Sequence, residues 1–325
     1  MKIIVVGAGV FGTALTNSLS YNKENDTIIF SRDKHVAKTI NSLKSNTKYF
    51  PHIKLNERII ADYDINVLRN ANIIFLAIPS NSVIQFVREN IDYIDSRSLI
   101  INLAKGFGEN GVTLIESLEK YLPDNKMLTM KGPTFAEELI RGFPSAFTIG
   151  SKNTEYFNII KKITQNTNIR LDFSEDIIGV EILSILKNIY AIALGIIDAQ
   201  FNSANTRFFV LTKAFHEIKK ILQIFGGNEN TLYKYCGIGD FGLTALNDLS
   251  RNRTLGLMIG KGFLRDTKNQ STVVIEGVRS IKIVHDKLSI KNKKDFPIII
   301  MLHKLLEENL SVKEFINYVL LENNI

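Results

Sequence analysis

Near its amino terminus the chain runs through the apolar residues Ile3 to Val6 straight into Gly7-Ala8-Gly9-Val10-Phe11-Gly12-Thr13-Ala14-Leu15. An apolar strand that ends in a G-x-G-x-x-G turn and opens a helix is a tightly constrained arrangement. The first glycine permits the tight turn, the second admits a pyrophosphate close to the backbone, and the third lets helix and strand pack together. The exposed N–H groups and dipole of the helix start then face an anion. This segment predicts a parallel α/β sheet with a nucleotide at the carboxyl end of its first strand.

The second strand, read at 27–30, runs into Ser31-Arg32-Asp33. A carboxylate at the end of that strand suits the ribose 2′-hydroxyl of NAD, whereas a forked, permanently charged guanidinium suits the 2′-phosphate of NADP. Arg32 occupies the position, with Asp33 one residue beyond, so the reading leans to NADPH and leaves NADH open.

Short apolar runs at 3–6, 27–30, 73–78, 99–103, 127–130 and 146–149 alternate with helical segments. Strand–helix–strand order predicts a doubly wound parallel sheet, whose ligands gather beyond the carboxyl ends of the strands. From about residue 176 the pattern is helical throughout. The expected organisation is therefore a nucleotide-binding domain over 1–175 and an all-α domain over 176–325. With no Pro/Gly/Ser linker between them, a close-packed interface with the site in the cleft is expected.

At 325 residues with 45% hydrophobic content the chain can bury substantial cores. Its single cysteine, Cys236, cannot form an internal disulfide, and no leader-like segment precedes the first strand, which points to a cytoplasmic setting. The longest uninterrupted apolar runs fall short of the ~20 residues of a membrane span, so none is expected. A net charge of +7 suits anionic ligands, but it is spread out rather than gathered into basic tracts with aromatics, which argues against nucleic acid. The five histidines lack metal-ligand spacing, so no metal is expected.

Within the helical half, Glu181, Ser184, Lys187, Asn188, Ala191, Gly195 and Asp198 recur at intervals of three and four on an otherwise apolar helix. Such a stripe is expected to face a polar cavity. Lys187, at its centre, is the candidate proton-exchange group, its pKa expected to be lowered by burial. Lys105, just beyond the run at 99–103, is placed to reach substrate. Lys131 to Glu138 reads as strand, turn and helix start, with Thr134 either a cap or an anion contact. In Gly237 to Thr244 a glycine-relaxed turn presents Asp240, and four residues later Thr244. Asp240 is read as a substrate contact, as a partner of Lys187, or as a helix cap. Ser250-Arg251-Asn252 combines a helix start with charged and amide donors and reads as a phosphate receptor.

Together GAGVFGTAL, the Lys105-Gly106 pair, KGPTFAEE, GVEILSILKN, SANTRFFVLTKAFHE, GIGDFGLT, SRNRTLG and VVIEGV closely resemble, nearly end to end, the bacterial NAD(P)-dependent glycerol-3-phosphate dehydrogenase family. The resemblance implies an N-terminal Rossmann domain, an all-α C-terminal domain of 6-phosphogluconate dehydrogenase type, a cytoplasmic enzyme, and conversion between dihydroxyacetone phosphate and sn-glycerol 3-phosphate for phospholipid synthesis. It implies Lys187 as the catalytic proton donor or acceptor, and Lys105, Gly132, Thr134, Lys187, Asp240, Ser250, Arg251 and Asn252 as substrate contacts. The cofactor contacts become Gly7, Gly9, Val10, Phe11, Gly12, Arg32, Lys105, Ala136, Arg251, Val274 and Glu276. Oligomeric state stays open, with a homodimer as the assembly to test.

The chain departs from the family pattern at Val10, at Leu183 to Ile185, at Lys213 in place of an arginine, and at Ala245 in place of a cysteine. None of these removes a group the reaction requires. A β-hydroxyacid or 6-phosphogluconate-type dehydrogenase shares the architecture, but the SRNR and GIGD segments argue against it. A nucleotide-sensing module without turnover is opposed by Lys105, Lys187 and Asp240 together.

Overall fold

The structure is a computed structural model that describes residues 1–263, 276–288, 293–308 and 310–321. The chain divides into two compact units, Met1–Glu181 and Ile182–Ile325.

The first unit is built on β1 (Lys2–Val6), α1 (Val10–Leu19), β2 (Asp26–Phe30), α2 (Lys34–Leu43), β3 (Ile60–Asp62), β4 (Ile73–Leu76), α3 (Ser80–Glu89) and β5 (Leu99–Asn102). It continues through α4 (Leu114–Tyr121), β6 (Lys126–Lys131), α5 (Ala136–Ile140), β7 (Ser145–Gly150), α6 (Thr154–Ile163) and β8 (Ile169–Ser174). The strands form one sheet in the order β3-β2-β1-β4-β5-β6-β7-β8. The six strands from β3 to β6 are mutually parallel in the order of the dinucleotide-binding fold. Beyond them β7 runs antiparallel to β6, and β8 follows β7 in parallel.

Why β1 is apolar from Ile3 to Val6 follows from the two cores. Ile3 and Val5 point into one cluster with Ala14, Leu15 and Leu139; Ile4 and Val6 point into another with Val83, Val87 and Leu118. A strand covered on both faces has no solvated side, so alternation gives way to a continuous run. Each such side chain contributes roughly 1.5–3 kcal/mol by burial.

The second unit is helical throughout its described residues. Its elements are α7 (Ile177–Phe201), which the unit boundary crosses, α8 (Ala204–Ile224), α9 (Asp240–Leu246), α10 (Arg251–Gly260), α11 (Glu276–Leu288), α12 (Pro297–Glu307) and α13 (Val312–Leu321). A single wide turn of i→i+5 type, Tyr235–Gly239, leads into α9. By length and composition α7 does qualify as a membrane span, with mean hydropathy 1.8, yet 94% of that stretch is buried. Counting uninterrupted apolar runs overlooked it, because Glu181, Lys187 and Asp198 break the run. These charges are matched by partners, as a buried protein helix requires.

Glu217 of α8 organises the start of α12. Its carboxyl accepts the Ile298 N–H at 2.7 Å, the Ile299 N–H at 3.3 Å and the Tyr190 hydroxyl at 2.8 Å. Pro297 at the first turn has no N–H to satisfy. Burial pushes the Glu217 carboxyl up to about 7, against the pull of these three donors.

Candidate active site

The glycine turn is shaped by close approach. Gly7 has φ +113°, and a Cβ there would stand 2.6 Å from the Ala77 carbonyl oxygen. At Gly12 a Cβ would fall 1.9 Å from the Gly7 carbonyl oxygen. Gly9 differs: a Cβ there would meet nothing within 4 Å. Helix α1 begins beside this space with no side-chain cap and no acidic residue in its first turn. Open volume before uncapped helix N–H groups fits an anionic pyrophosphate, so the residues present suit a dinucleotide. Val10 is exposed, and the Phe11 ring meets that of Phe147 edge-on at 6.2 Å.

Beyond β2 the two candidate selectors separate. Arg32 is exposed and its guanidinium has no protein partner among the described residues. Asp33 is occupied as the cap of α2, accepting the His35 N–H at 3.0 Å and the Val36 N–H at 3.4 Å. The Val36 N–H chiefly, with help from His35 and Lys48, holds its carboxyl below the usual carboxylate range.

Lys105 lies three residues past β5 and is half-buried. Ala136 opens α5 and packs against the sheet core. Gly132, just after β6, permits contact with β7: a Cβ there would come within 2.1 Å of the Ala146 carbonyl oxygen. Thr134 is not a helix cap. The residue before α5 is Phe135, with no side-chain cap, and the buried Thr134 Oγ1 has no partner among the described residues.

At the end of β6 sits a fully buried cation that pattern reading did not pair. The Lys131 ammonium donates to the Asn102 carbonyl at 3.0 Å and lies 3.5 Å from Glu181. Glu181 also accepts from Thr129 Oγ1 at 2.8 Å, from the Ile115 N–H at 3.2 Å and from the Asn102 amide. This is a satisfied internal network rather than the lining of a polar cavity.

The rest of the α7 stripe resolves into distinct jobs. Asp198 receives Arg207 Nε at 2.8 Å and the Arg253 guanidinium. Gly195 marks a helix crossing, where a Cβ would meet the Arg253 carbonyl oxygen at 2.3 Å. At the centre, Lys187 Nζ donates to Asp240 Oδ1 at 2.6 Å and to Thr244 Oγ1 at 2.7 Å. The two acceptors stand four residues apart on α9, one above the other on one face. Lys187 and Asp240 are 6% and 1% exposed, so this charge pair is nearly dry. Asp240 is the first residue of α9 and does not cap it. Of the three readings left open for Asp240, the structure shows it as the partner of Lys187, at 2.6 Å.

Ser250 caps α10, accepting the Arg253 N–H at 3.3 Å. Arg251 is exposed, while Arg253 is buried between Asp198 and Asp248, so the two arginines of this segment do different work. Asn252 Oδ1 is buried without a partner among the described residues. It lies against Gly277 of α11, where a Cβ would be 2.6 Å from that oxygen and 3.2 Å from the Asn188 carbonyl oxygen. Close approach therefore explains the glycine after Glu276, which itself opens α11. Val274 lies outside the described residues. Lys213 donates to the Val319 carbonyl at 2.8 Å, tying α8 to α13.

Comparison with known proteins agrees over nearly the whole chain. Residues 2–157 match the family profile described as NAD-dependent glycerol-3-phosphate dehydrogenase N-terminus, and residues 176–317 match that of its C-terminus. A glycerol-3-phosphate dehydrogenase [NAD(P)+] of Methanothermobacter thermautotrophicus is 36% identical over 322 residues, covering 97% of each chain. One from Clostridium botulinum is 32% identical over 309 residues, covering 94% of this chain and 93% of that one. The crystal structure of glycerol-3-phosphate dehydrogenase from Coxiella burnetii superimposes with a TM-score of 0.88 at 27% identity, covering 99% of both chains. Archaeal as well as bacterial proteins are thus among the relatives, so the resemblance is wider than the bacterial group. The chain belongs to the NAD-dependent glycerol-3-phosphate dehydrogenase family.

Proposed function

We propose that the protein catalyses reversible hydride transfer between NAD(P)H and dihydroxyacetone phosphate, giving sn-glycerol 3-phosphate for glycerophospholipid synthesis. The observation that carries this reading is the buried Lys187 ammonium, held by a carboxylate and a hydroxyl on one helical turn. The bound reduced nicotinamide would supply hydride to the C2 carbonyl carbon. Lys187 Nζ then gives a proton to the oxygen that becomes the new hydroxyl, and in reverse the neutral amine takes it back. Asp240 and Thr244 each accept one of the ammonium N–H groups and so aim the side chain.

Substrate phosphate is assigned to Arg251, Asn252 and the capped start of α10, where an exposed guanidinium, the NH2 group of a half-buried side-chain amide and helix N–H groups suit a dianion. Lys105, Gly132, Thr134 and Ser250 complete the assigned substrate contacts; the unpartnered Thr134 hydroxyl supports its place among them. Gly7, Gly9, Val10, Phe11, Gly12, Arg32 and Ala136 hold the cofactor, with Arg32 on a 2′-phosphate. A cytoplasmic setting accords with a chain whose one cysteine, Cys236, has no second cysteine to pair with. Sedimentation of the purified chain tests for a homodimer.

The direct experiment follows nicotinamide absorbance with NADPH or NADH and dihydroxyacetone phosphate, beside β-hydroxyacids and 6-phosphogluconate. Turnover confined to the three-carbon keto-phosphate pair is expected. Cofactor binding without turnover of any of these would overturn the reading.

A further inference from the structure

The connection from α2 to β3 contains a tight turn whose purpose is not sheet formation. The Asn46 carbonyl accepts the Tyr49 N–H at 3.1 Å and the Phe50 N–H at 2.7 Å, and Phe50 anchors the turn in the core. The side chain of Asn46 is completely buried. Its amide nitrogen donates to the Ala8 carbonyl at 3.0 Å and to Thr13 Oγ1 at 2.8 Å, across 38 and 33 residues of sequence. A carbonyl can only accept, so the amide orientation is fixed.

These two bonds touch the phosphate-binding turn and the first turn of α1 at once. The Ala8 carbonyl shares a peptide plane with the Gly9 N–H, and in a trans peptide the two point in opposite directions. Holding the carbonyl toward Asn46 therefore turns the Gly9 N–H away from it. That N–H has no protein acceptor among the described residues. The second bond, to Thr13, fixes α1 against the same amide, so turn and helix keep one relative position. Asn46 Oδ1, meanwhile, is buried with no partner among the described residues. A residue retained only for packing gains nothing from an unsatisfied acceptor, whereas one retained for its donor group can carry that cost.

We propose that Asn46 is a positioning residue for the cofactor: it fixes the Ala8–Gly9 peptide so that the Gly9 N–H is presented to the pyrophosphate in advance of binding. The inference rests on the reading that the glycine turn holds the dinucleotide. Without Asn46 the peptide can rotate, and binding must then order it.

The test uses the full chain and two variants, Asn46→Asp, which keeps size and loses the donor when ionised, and Asn46→Ala, which loses it at any pH. NADPH affinity is read by equilibrium fluorescence titration, folding by thermal melting, and turnover by steady-state kinetics with dihydroxyacetone phosphate. Asn46→Asp should fold, raise the NADPH Kd and KM about tenfold or more, and leave kcat at saturating NADPH and KM for the ketone within about twofold. Asn46→Ala should weaken NADPH similarly if it folds. An NADPH Kd within twofold of the parent in folded Asn46→Ala, or in folded Asn46→Asp at a pH where its carboxyl is ionised, would overturn the proposal. So would a parallel loss in kcat and ketone KM, which marks general disorder rather than positioning. A parent chain that binds NADPH but does not reduce dihydroxyacetone phosphate would defeat the proposed reaction while leaving this inference to be decided by titration.

Discussion

Replacing Lys187 by Met tests catalysis and architecture together, and the structure says how to separate them. The substitution keeps most of the volume but leaves the Asp240 carboxylate, 1% exposed, without its ammonium. Removing one member of a buried pair costs about 3–5 kcal/mol, because the survivor is an uncompensated charge. At roughly 2–4 °C per kcal/mol for domains of this size, melting should fall on the order of 10 °C. Loss of a general acid costs about 10²–10⁴ in rate, a similar free energy, so the single variant cannot tell a missing proton donor from a damaged fold. Lys187→Met with Asp240→Asn removes both charges. Stability should then return to within about 2 kcal/mol of the parent, while turnover of dihydroxyacetone phosphate stays at least about 100-fold down. Differential scanning calorimetry and nicotinamide absorbance measure the two quantities on the same preparation. A double variant whose turnover recovers along with its melting temperature would refute the acid–base role and leave Lys187 a structural cation.

Gly9→Ala should melt like the parent yet bind NADPH more weakly by titration, whereas Gly12→Ala, whose Cβ would fall 1.9 Å from the Gly7 carbonyl oxygen, should lose on the order of 3 kcal/mol or more of stability. Arg32→Ala should weaken NADPH roughly tenfold or more and leave NADH nearly unchanged; equal loss for both removes Arg32 from cofactor choice. The Glu217 carboxyl, raised to about 7 from 4.5, binds its proton more tightly folded than unfolded, so its contribution is complete below about pH 4.5 and is lost as pH rises through about 7. Chemical denaturation at pH 5 and pH 8 should show Glu217→Gln losing less stability across that interval, by about 3 kcal/mol; identical slopes would contradict this.

What could be read in advance was whatever leaves a local imprint. The strand–glycine–helix segment and five further apolar runs located six of the eight strands, because burial on both faces makes a strand continuously apolar. β3 escaped notice because it is three residues long with Ile60 exposed, and β8, IRLDFS, because half-buried positions and charges interrupt it. The reversed direction of β7 has no local signature at all, since a parallel or antiparallel neighbour demands the same side chains. The same distinction governs the site. Asp240 and Thr244 could be set on one helical face by counting four residues, and Lys187 picked out as the costly cation on an apolar helix. Spacing could not say that Glu181, on the same stripe, answers Lys131 fifty residues earlier, or that Asp198 answers Arg253. Periodicity reports that a face is polar, and only the fold decides whether the partner is a ligand or another side chain. Lys187, at the centre of that stripe, has a protein partner too. Its claim to chemistry rests on that partner being a carboxylate and a hydroxyl that together hold one ammonium proton-ready, an arrangement packing alone does not require.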